Sequence, residues 1–234
     1  MQLFYNPNIN EQTELFSFDK EESKHIIKVL RKKDTDILFV TNGLGFIFKI
    51  EITLASDIKC TVKIIETQKL EAPKYKLHLA VAPTKMNDRY EWFLEKATEI
   101  GVSEITPIIC DHSERKTIKT DRFDKIIQSA MKQSNQYYLP KLNDSVSFKD
   151  FIKSTNTDLK LIAHCEETDK KSLKDIVKPN QNITILIGPE GDFSEKEILL
   201  ALENKFTPIT LGNTRLRTET AAIVACHSLA FVNE

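Results

Sequence analysis

From Tyr75 onward, strand-like apolar segments alternate with helical segments, and this alternation restricts the fold more than any other feature of the sequence. The predicted strands cover residues 75–82, 105–110, 159–164, 183–187 and 209–211. The predicted helices cover 87–100, 121–134, a short stretch near Ser172, 194–203 and the segment from Thr218. Such alternation is typical of a parallel sheet covered by helices. Gly101 can end the first of these helices in the left-handed conformation.

The first 70 residues follow a different pattern, in which strands predominate. Segments rich in Ile, Val, Phe and Thr predict strands over 36–41, 45–53 and 58–66, and Asn42-Gly43 is typical of a hairpin turn. One helix interrupts them, with Asp19 as its cap and an apolar stripe of Ile26, Ile27 and Leu30. The polar segment 67–74 separates the two patterns. We therefore predict a small barrel over 1–70 and an α/β domain over 74–234.

The composition is that of a folded globular protein, with 41% hydrophobic residues among 234 and a formal net charge of -1. This excludes a mainly disordered chain. The four cysteines lie far apart, which favours reduced thiols and a cytoplasmic location. The most apolar run, 221–232, is shorter than the roughly 20 residues that span a bilayer. We predict no membrane segment and no metal site.

The loop at 188–195 follows a predicted strand and reads GPEGDFSE. Gly188 and Gly191 permit close approach of the backbone to a ligand, and Ser194 can cap the next helix. Ligands bind at such strand ends in doubly wound sheets. Taken alone, Gly-Pro-Glu-Gly is more typical of an ordinary tight strand-to-helix turn. It does not match the glycine motifs of dinucleotide-binding or phosphate-binding loops.

A second strand-ending loop, 212–220, reads GNTRLRTET. Arg215 and Arg217 lie two positions apart in it, and Glu219 enters the last helix. A solvated arginine–glutamate pair at a helix start explains Glu219 but leaves two arginines in one loop unexplained.

Taken together, IGPEGDFSEKE and LGNTRLRTETAA closely resemble the closing motifs of the 16S ribosomal RNA uridine-N3 methyltransferases, a family of the SPOUT (trefoil-knot) superfamily. The resemblance extends to three further stretches: HIIKVLRKK, WFLEKATEIGVSEITPI and AMKQSNQYYLP. It covers nearly the whole chain in order.

This resemblance implies a PUA-like barrel over 1–70 and a SPOUT α/β domain over 74–234 with a mainly parallel sheet and a carboxy-terminal trefoil knot. It also implies S-adenosylmethionine as cofactor, 16S rRNA or the small ribosomal subunit as partner, and a homodimer. Carried over by position, the cofactor-binding residues are Ile187, Gly188, Pro189, Glu190, Gly191, Leu211, Gly212 and Leu216.

For catalysis, the resemblance points to Arg217 beside the reacting uracil. The proton acceptor stays open: Glu219 is close in sequence and is a candidate, but it could equally be an acid at a helix start. The family commonly has a third glycine where this chain has Asp192, a residue type that tolerates left-handed backbone. Methyl transfer needs no covalent nucleophile, so we interpret Cys226 and Cys165 as core thiols.

Two basic stretches, 24–33 and 112–141, are candidate RNA-binding segments. The residues predicted to bind RNA are Lys28, Arg31, Lys32, Lys33, Arg115, Lys116 and Arg122. On a continuous helix the first three share one side, while Ile27 and Leu30 face the barrel. A run of charged residues is more often a solvated helix face than an RNA-binding surface. Charge alone therefore does not decide between these two interpretations.

Two functions therefore compete. The leading hypothesis is an S-adenosylmethionine-dependent enzyme that methylates N3 of a uridine in 16S rRNA. The alternative is a ribosome-associated RNA-binding factor without catalysis on the same scaffold. The retention of both cofactor loops favours the enzyme. Nucleotidyl or phosphoryl transfer lacks support, because the sequence has no phosphate-binding loop.

Overall fold

The computed structural model describes residues 2–118, 120–167 and 169–234. They form two compact units. The amino-terminal unit runs through Ala72 and also includes Met131–Leu139, and the carboxy-terminal unit comprises Pro73–Ala130 and Pro140–Glu234. The sequence prediction had assigned Met131–Leu139 to the second domain. As separate folding domains, 1–70 and 74–234 stay a prediction.

The amino-terminal unit is built on a five-stranded sheet in the order β1-β3-β4-β5-β2. The strands are β1 (Leu3–Tyr5), β2 (Leu15–Ser17), β3 (Ile37–Thr41), β4 (Phe46–Leu54) and β5 (Thr61–Lys69). Only the β1–β3 pair is parallel. The core contains alternate residues of the long strands, such as Phe48, Ile50 and Val62. Because successive side chains of a strand point to opposite faces of the sheet, these residues bury one face.

The turn between β3 and β4 has the left-handed residues that the sequence predicted. Gly43 and Gly45 have φ angles of 75° and 86°, and the Asn42 side chain accepts a hydrogen bond from the Leu44 amide at 2.9 Å. The Gly45 amide donates to the Tyr137 carbonyl at 2.9 Å. The turn therefore holds the later segment Met131–Leu139 within this unit.

The helix of the amino-terminal unit, α1 (Lys20–Lys24), begins as predicted, because Asp19 accepts a hydrogen bond from the Glu22 amide at 2.8 Å. It continues only as a π-helical turn, His25–Val29, and Ile27 and Leu30 pack on the core.

The prediction that Lys28, Arg31 and Lys32 share one helix side is wrong. Arg31 adopts the left-handed conformation with φ 56°, and the Lys32 amide donates to the Ile26 carbonyl at 3.1 Å. The helix has ended before Arg31, so helical spacing does not apply beyond Val29.

The carboxy-terminal unit contains a parallel sheet in the order β11-β13-β10-β12-β6-β7-β8, with β9 paired to β7. The strands are β6 (Lys76–Val81), β7 (Glu104–Ile109), β8 (Lys141–Leu142), β9 (Val146–Ser147), β10 (Leu159–Ala163), β11 (Lys171–Ser172), β12 (Asn182–Ile187) and β13 (Thr207–Thr210). The predicted α/β class with a mainly parallel sheet is confirmed.

The helices of this unit follow the predicted positions closely. They are α2 (Asn87–Ile100), α3 (Thr120–Gln133), α4 (Phe148–Ser154), α5 (Leu173–Ile176), α6 (Glu195–Glu203) and α7 (Thr218–Asn233). The end of α3, from Met131, belongs to the amino-terminal unit. Gly101 ends α2 with φ 108°, as predicted. Only α4 was not predicted, although Ser147 caps it and Phe148, Phe151 and Ile152 form its buried stripe.

The four cysteines are free thiols in two environments. Burial raises the pKa of Cys226 to about 12, which keeps it protonated and confirms it as a core thiol. The prediction that Cys165 is a core thiol is wrong, because Cys165 is exposed. It lies just beyond the end of β10, and the buried position beside it is His164.

Two features are absent from the described residues. None of their helices is long and apolar enough to cross a bilayer. Nor do they contain a group of three or more His, Cys, Asp or Glu side chains arranged to bind a metal ion.

Candidate active site

The loop after β12 is fixed at its far end by the start of α6. Ser194 caps this helix and forms a reciprocal pair with Glu197: the Glu197 amide donates to Ser194 Oγ, and the Ser194 amide donates to Glu197 Oε2 at 2.9 Å. Glu197 Oε1 also accepts from the Asp111 amide at 3.0 Å. The loop is therefore held to the segment that follows β7.

Asp192 occupies a left-handed position in this loop, with φ 63°. Its carboxylate accepts from the Cys165 amide through Oδ2 at 2.7 Å and from the Phe193 amide through Oδ1 at 2.9 Å. An aspartate can thus occupy a site where the family commonly has glycine, because its short side chain satisfies two nearby amides. One of these amides belongs to the segment after β10.

Gly188 and Gly191 are closely packed against other parts of the protein. A Cβ on Gly188 would lie 3.1 Å from the Phe193 ring, and a Cβ on Gly191 would lie 3.1 Å from the His112 Cβ. The Gly188 carbonyl accepts a hydrogen bond from the Thr218 hydroxyl at 3.0 Å. This bond joins the loop after β12 to the first residue of α7.

A cavity of about 540 Å³, here called the glycine-loop cavity, lies between the loops after β10, β12 and β13. Its lining residues are Ala163, His164, Cys165, Glu166, Lys170, Gly191, Asp192, Ile209, Thr210, Leu211, Gly212, Asn213, Thr214, Arg215, Leu216 and Ala221. Four predicted cofactor residues are among them: Gly191, Leu211, Gly212 and Leu216.

The other four predicted cofactor residues do not line this cavity. Ile187 is buried at the end of β12, and the Gly188 carbonyl is bonded to Thr218. The Pro189 carbonyl accepts from the Asp192 amide at 2.9 Å, and Glu190 Oε1 accepts from the Lys85 amide at 2.9 Å. These contacts hold the loop in its conformation.

His164 is a lining residue that the sequence analysis did not select. Its side chain is 7% exposed, and neither ring nitrogen has a hydrogen-bond partner within the described residues. Burial and the nearby Lys170 ammonium lower the pKa of His164, against opposing effects of Asp192 and Glu166. Its position as the last residue of a predicted strand was the only sequence indication.

A second cavity, of about 710 Å³, is called here the arginine cavity. Its lining residues are Asp88, Arg89, Trp92, Arg215, Leu216, Arg217, Glu219 and Thr220. Arg215 and Leu216 therefore border both cavities. The predicted catalytic residues, Arg217 and Glu219, both lie in the arginine cavity.

The two predicted catalytic side chains differ in exposure. Arg217 is the exposed N-cap residue of α7, and Glu219 is only 7% exposed. Glu219 Oε1 lies 3.9 Å from the Nε of Arg89, while Oε2 is buried with no hydrogen-bond partner in the described part of the chain. The arrangement places a guanidinium and a carboxylate with a free oxygen in one cavity.

The α2 residues of this cavity, Asp88, Arg89 and Trp92, were missed by the sequence analysis. Trp92 is 44% exposed, although tryptophan side chains are highly buried on average. An exposed tryptophan one turn after an arginine was the pattern that could have identified this helix face.

Two known domain families match this chain. The family model described as "RNA methyltransferase domain" matches residues 70–230, and the one described as "RNA methyltransferase PUA domain" matches residues 18–65. The ribosomal RNA small subunit methyltransferase E of Buchnera aphidicola is 35% identical over 229 residues, covering 92% of this chain and 87% of the relative. The chain belongs to this methyltransferase family. The predicted family and enzyme class are thereby confirmed.

Solved structures of methyltransferases match the whole fold. A probable rRNA-methyltransferase from Porphyromonas gingivalis is 38% identical, with a TM-score of 0.93 over 100% of this chain and 98% of the other. A methyltransferase from Legionella pneumophila, solved in complex with S-adenosylmethionine, is 30% identical, with a TM-score of 0.89 over 99% and 97% of the two chains.

The predicted RNA-binding residues of this methyltransferase lie in both units. In the carboxy-terminal unit, Arg115 donates to Asn87 Oδ1 at 2.6 Å and Arg122 donates to Glu91 Oε2 at 2.7 Å. Both guanidinium groups are thus held against the first turns of α2. Lys116 is exposed.

In the amino-terminal unit, Lys28 Nζ lies 3.2 Å from Asp57 Oδ2. Arg31 and Lys33 are exposed, and Lys32 is half-buried. The charge of Lys28 is partly compensated, so Arg31 and Lys33 are the better placed of this group for contact with phosphate.

Proposed function

We propose that this chain transfers a methyl group from S-adenosylmethionine to N3 of a uridine in the RNA of the small ribosomal subunit. The observation that carries this proposal is the shared wall of the two cavities. Arg215 and Leu216 border both of them, so a methyl donor in one lies next to a base in the other. Adjacent donor and acceptor sites are what in-line transfer requires.

The glycine-loop cavity is the proposed cofactor site. Its volume of about 540 Å³ falls in the usual range for small-molecule sites, about 300–1,000 Å³. An added Cβ at Gly212 would meet no atom within 4 Å, so this residue leaves open space beside the backbone. When bound, the cofactor supplies an electrophilic methyl group on a sulfonium.

The arginine cavity is the proposed uracil site. N3 of uridine carries a weakly acidic proton, and it becomes a stronger nucleophile as that proton leaves. Arg217 is a permanent cation that stabilises the negative charge moving onto the uracil oxygens. Glu219 Oε2, buried and without a partner among the described residues, accepts the N3 proton. N3 then forms its bond to the methyl carbon as the carbon–sulfur bond breaks.

The proposal extends to the partners. Arg31, Lys33 and Lys116 contact RNA phosphates, as their exposure permits. The chain works as a homodimer in the cytoplasm, as the resemblance implies. Light scattering on the purified protein tests whether it is a dimer. A measured mass equal to that of one chain, 26.8 kDa, would contradict the proposed dimer.

The alternative, an RNA-binding factor without catalysis, needs the basic side chains but not the cavities. Such a protein gains nothing from a buried carboxylate with an unpaired oxygen, because an unsatisfied buried acceptor is costly. The Glu219 geometry therefore favours the enzyme.

The experiment incubates the full-length protein and labelled S-adenosylmethionine with small subunits, or with naked 16S rRNA, from a bacterial strain that lacks the enzyme. The RNA is digested and its nucleosides are separated by mass spectrometry. We expect 3-methyluridine. A methyl group on carbon 5 or on the ribose would overturn the N3 assignment. If both ligands bind and no RNA is methylated, the non-catalytic alternative is correct.

A further inference from the structure

The glycine-loop cavity is lined by a buried side chain, His164, to which the hydrogen bonds of the loops and the proposed steps of methyl transfer assign no role. His164 follows β10 directly and lines the cavity. It is 7% exposed, and within the described residues both Nδ1 and Nε2 have no hydrogen-bond partner. Buried polar atoms are almost always paired in folded proteins, so two on one ring need an explanation.

Two of the charged groups near His164, Lys170 and Asp192, are bound to other partners. The Lys170 ammonium donates to the carbonyls of His164 and Glu166, at 3.1 and 2.8 Å. The Asp192 carboxylate accepts from the amides of Cys165 and Phe193. These bonds leave neither the Lys170 ammonium nor the Asp192 carboxylate paired with the imidazole, and His164 is one of the residues that line the cavity.

Burial and Lys170 lower the pKa of His164, so the ring is neutral at physiological pH. A neutral imidazole has one hydrogen-bond donor and one acceptor. A neutral donor and acceptor match the hydroxyl groups of a ribose and the edge of an adenine. They match an ionised carboxylate or ammonium less well, because charged groups pair best with opposite charges.

We propose that the His164 imidazole hydrogen-bonds the nucleoside portion of S-adenosylmethionine in the glycine-loop cavity. This makes His164 a positioning residue of the cofactor site. The inference rests on the proposed function only in taking this cavity as the cofactor site. It assigns a cofactor-binding residue, and the part of the cofactor that this residue contacts, which neither the loop motifs nor the resemblance identified.

The test measures binding to the full-length protein by calorimetry, without RNA and without turnover. The ligands are S-adenosylmethionine, S-adenosylhomocysteine and 5′-methylthioadenosine, which keeps the nucleoside and lacks the amino-acid portion. The variants are His164→Leu, His164→Asn and His164→Gln. Asparagine restores a polar group near the position of Nδ1, and glutamine restores one near Nε2. His78→Asn is the matched control, because His78 is a half-buried imidazole of the same sheet that lies outside the cavity and is bonded to Thr106.

We expect His164→Leu to weaken all three ligands by about tenfold, as for the loss of one hydrogen bond. Its unfolding temperature without ligand should equal or exceed that of the wild type, because the substitution removes two unpaired polar atoms. Asparagine or glutamine should restore affinity to within about threefold. His78→Asn should leave all three affinities unchanged.

Unchanged affinities in His164→Leu would overturn the inference, with the cofactor site itself left standing. Weakening for S-adenosylmethionine but not for 5′-methylthioadenosine would assign His164 to the amino-acid portion and overturn the nucleoside contact. Equal weakening in all three His164 variants would indicate a packing role and also overturn it. Failure of the wild type to bind any of the ligands would overturn the cofactor site, and the proposed function with it.

Discussion

Replacing Asp192 by alanine and by glycine separates two contributions to the loop after β12. Both variants lose the hydrogen bonds from the Cys165 and Phe193 amides, at 2.7 and 2.9 Å. Hydrogen bonds to charged groups contribute about 1.5–3 kcal/mol each when buried. Asp192 is half-buried and its donors can reach water, so we assign about 2 kcal/mol to the pair.

The variants differ in the backbone term, because position 192 has φ 63°. A left-handed conformation costs alanine about 1.5 kcal/mol. Glycine avoids this cost but loses about 0.7 kcal/mol through the greater freedom of its unfolded chain. The free energy of unfolding should therefore fall by about 2.7 kcal/mol in Asp192→Gly and by about 3.5 kcal/mol in Asp192→Ala.

The assay is urea unfolding of the full-length protein, followed by the fluorescence of Trp92. This is the single tryptophan of the chain and lies in α2, so it reports on the carboxy-terminal unit. Glu203→Ala, which removes an exposed carboxylate from α6, is the control and should change stability by less than about 0.5 kcal/mol. An alanine variant as stable as the glycine variant would refute the backbone argument. Two variants as stable as the wild type would refute the role of the hydrogen bonds.

Three further predictions concern catalysis, RNA binding and pH. Arg217→Ala should lower kcat by about 10²-fold or more with little change in cofactor affinity. Single-turnover methylation measures the first and calorimetry the second. Activity within a few-fold of the wild type would point to Arg215 instead. Reversing Arg31 and Lys33 to Glu should weaken RNA binding and reduce its salt slope by about 0.7–0.9 log units for each phosphate that the protein no longer neutralises. A titration of affinity against salt measures this, and an unchanged slope would show a solvated face. Burial lowers the pKa of His78 in the folded protein, so the unfolded state binds more protons below pH about 6.5 and stability should fall as the pH drops through that range. Unfolding temperatures between pH 5 and 8 check this, and a wild-type profile no steeper than that of His78→Asn would contradict it.

Several elements of the fold could be predicted from particular residues. Asp19 caps α1, Gly101 ends α2 and Gly43 forms the hairpin turn, because each of these roles depends on the conformation of one residue and its near neighbours. The same local reasoning could have found α4, since Ser147 precedes an apolar stripe at helical spacing.

Other predictions failed where distant contacts override local pattern. Basic residues at helical spacing indicated a helix as far as Lys32, but the chain leaves the helix after a π-helical turn and Arg31 is left-handed. Cys165 was predicted to be buried, yet it is exposed, and its amide is bonded to Asp192 from another loop.

The sequence by itself determined the fold class, the two strand-ending loops and the family, because periodicity and the conformational preferences of glycine and capping residues act over a few positions. Only the tertiary structure decided which parts of those loops face a ligand. It brings Arg215 and Leu216 to the shared wall of two cavities and leaves Glu219 and His164 with unpaired buried atoms among the described residues. These features depend on which segments, far apart in sequence, come together at one edge of the sheet, and no spacing along the chain encodes them.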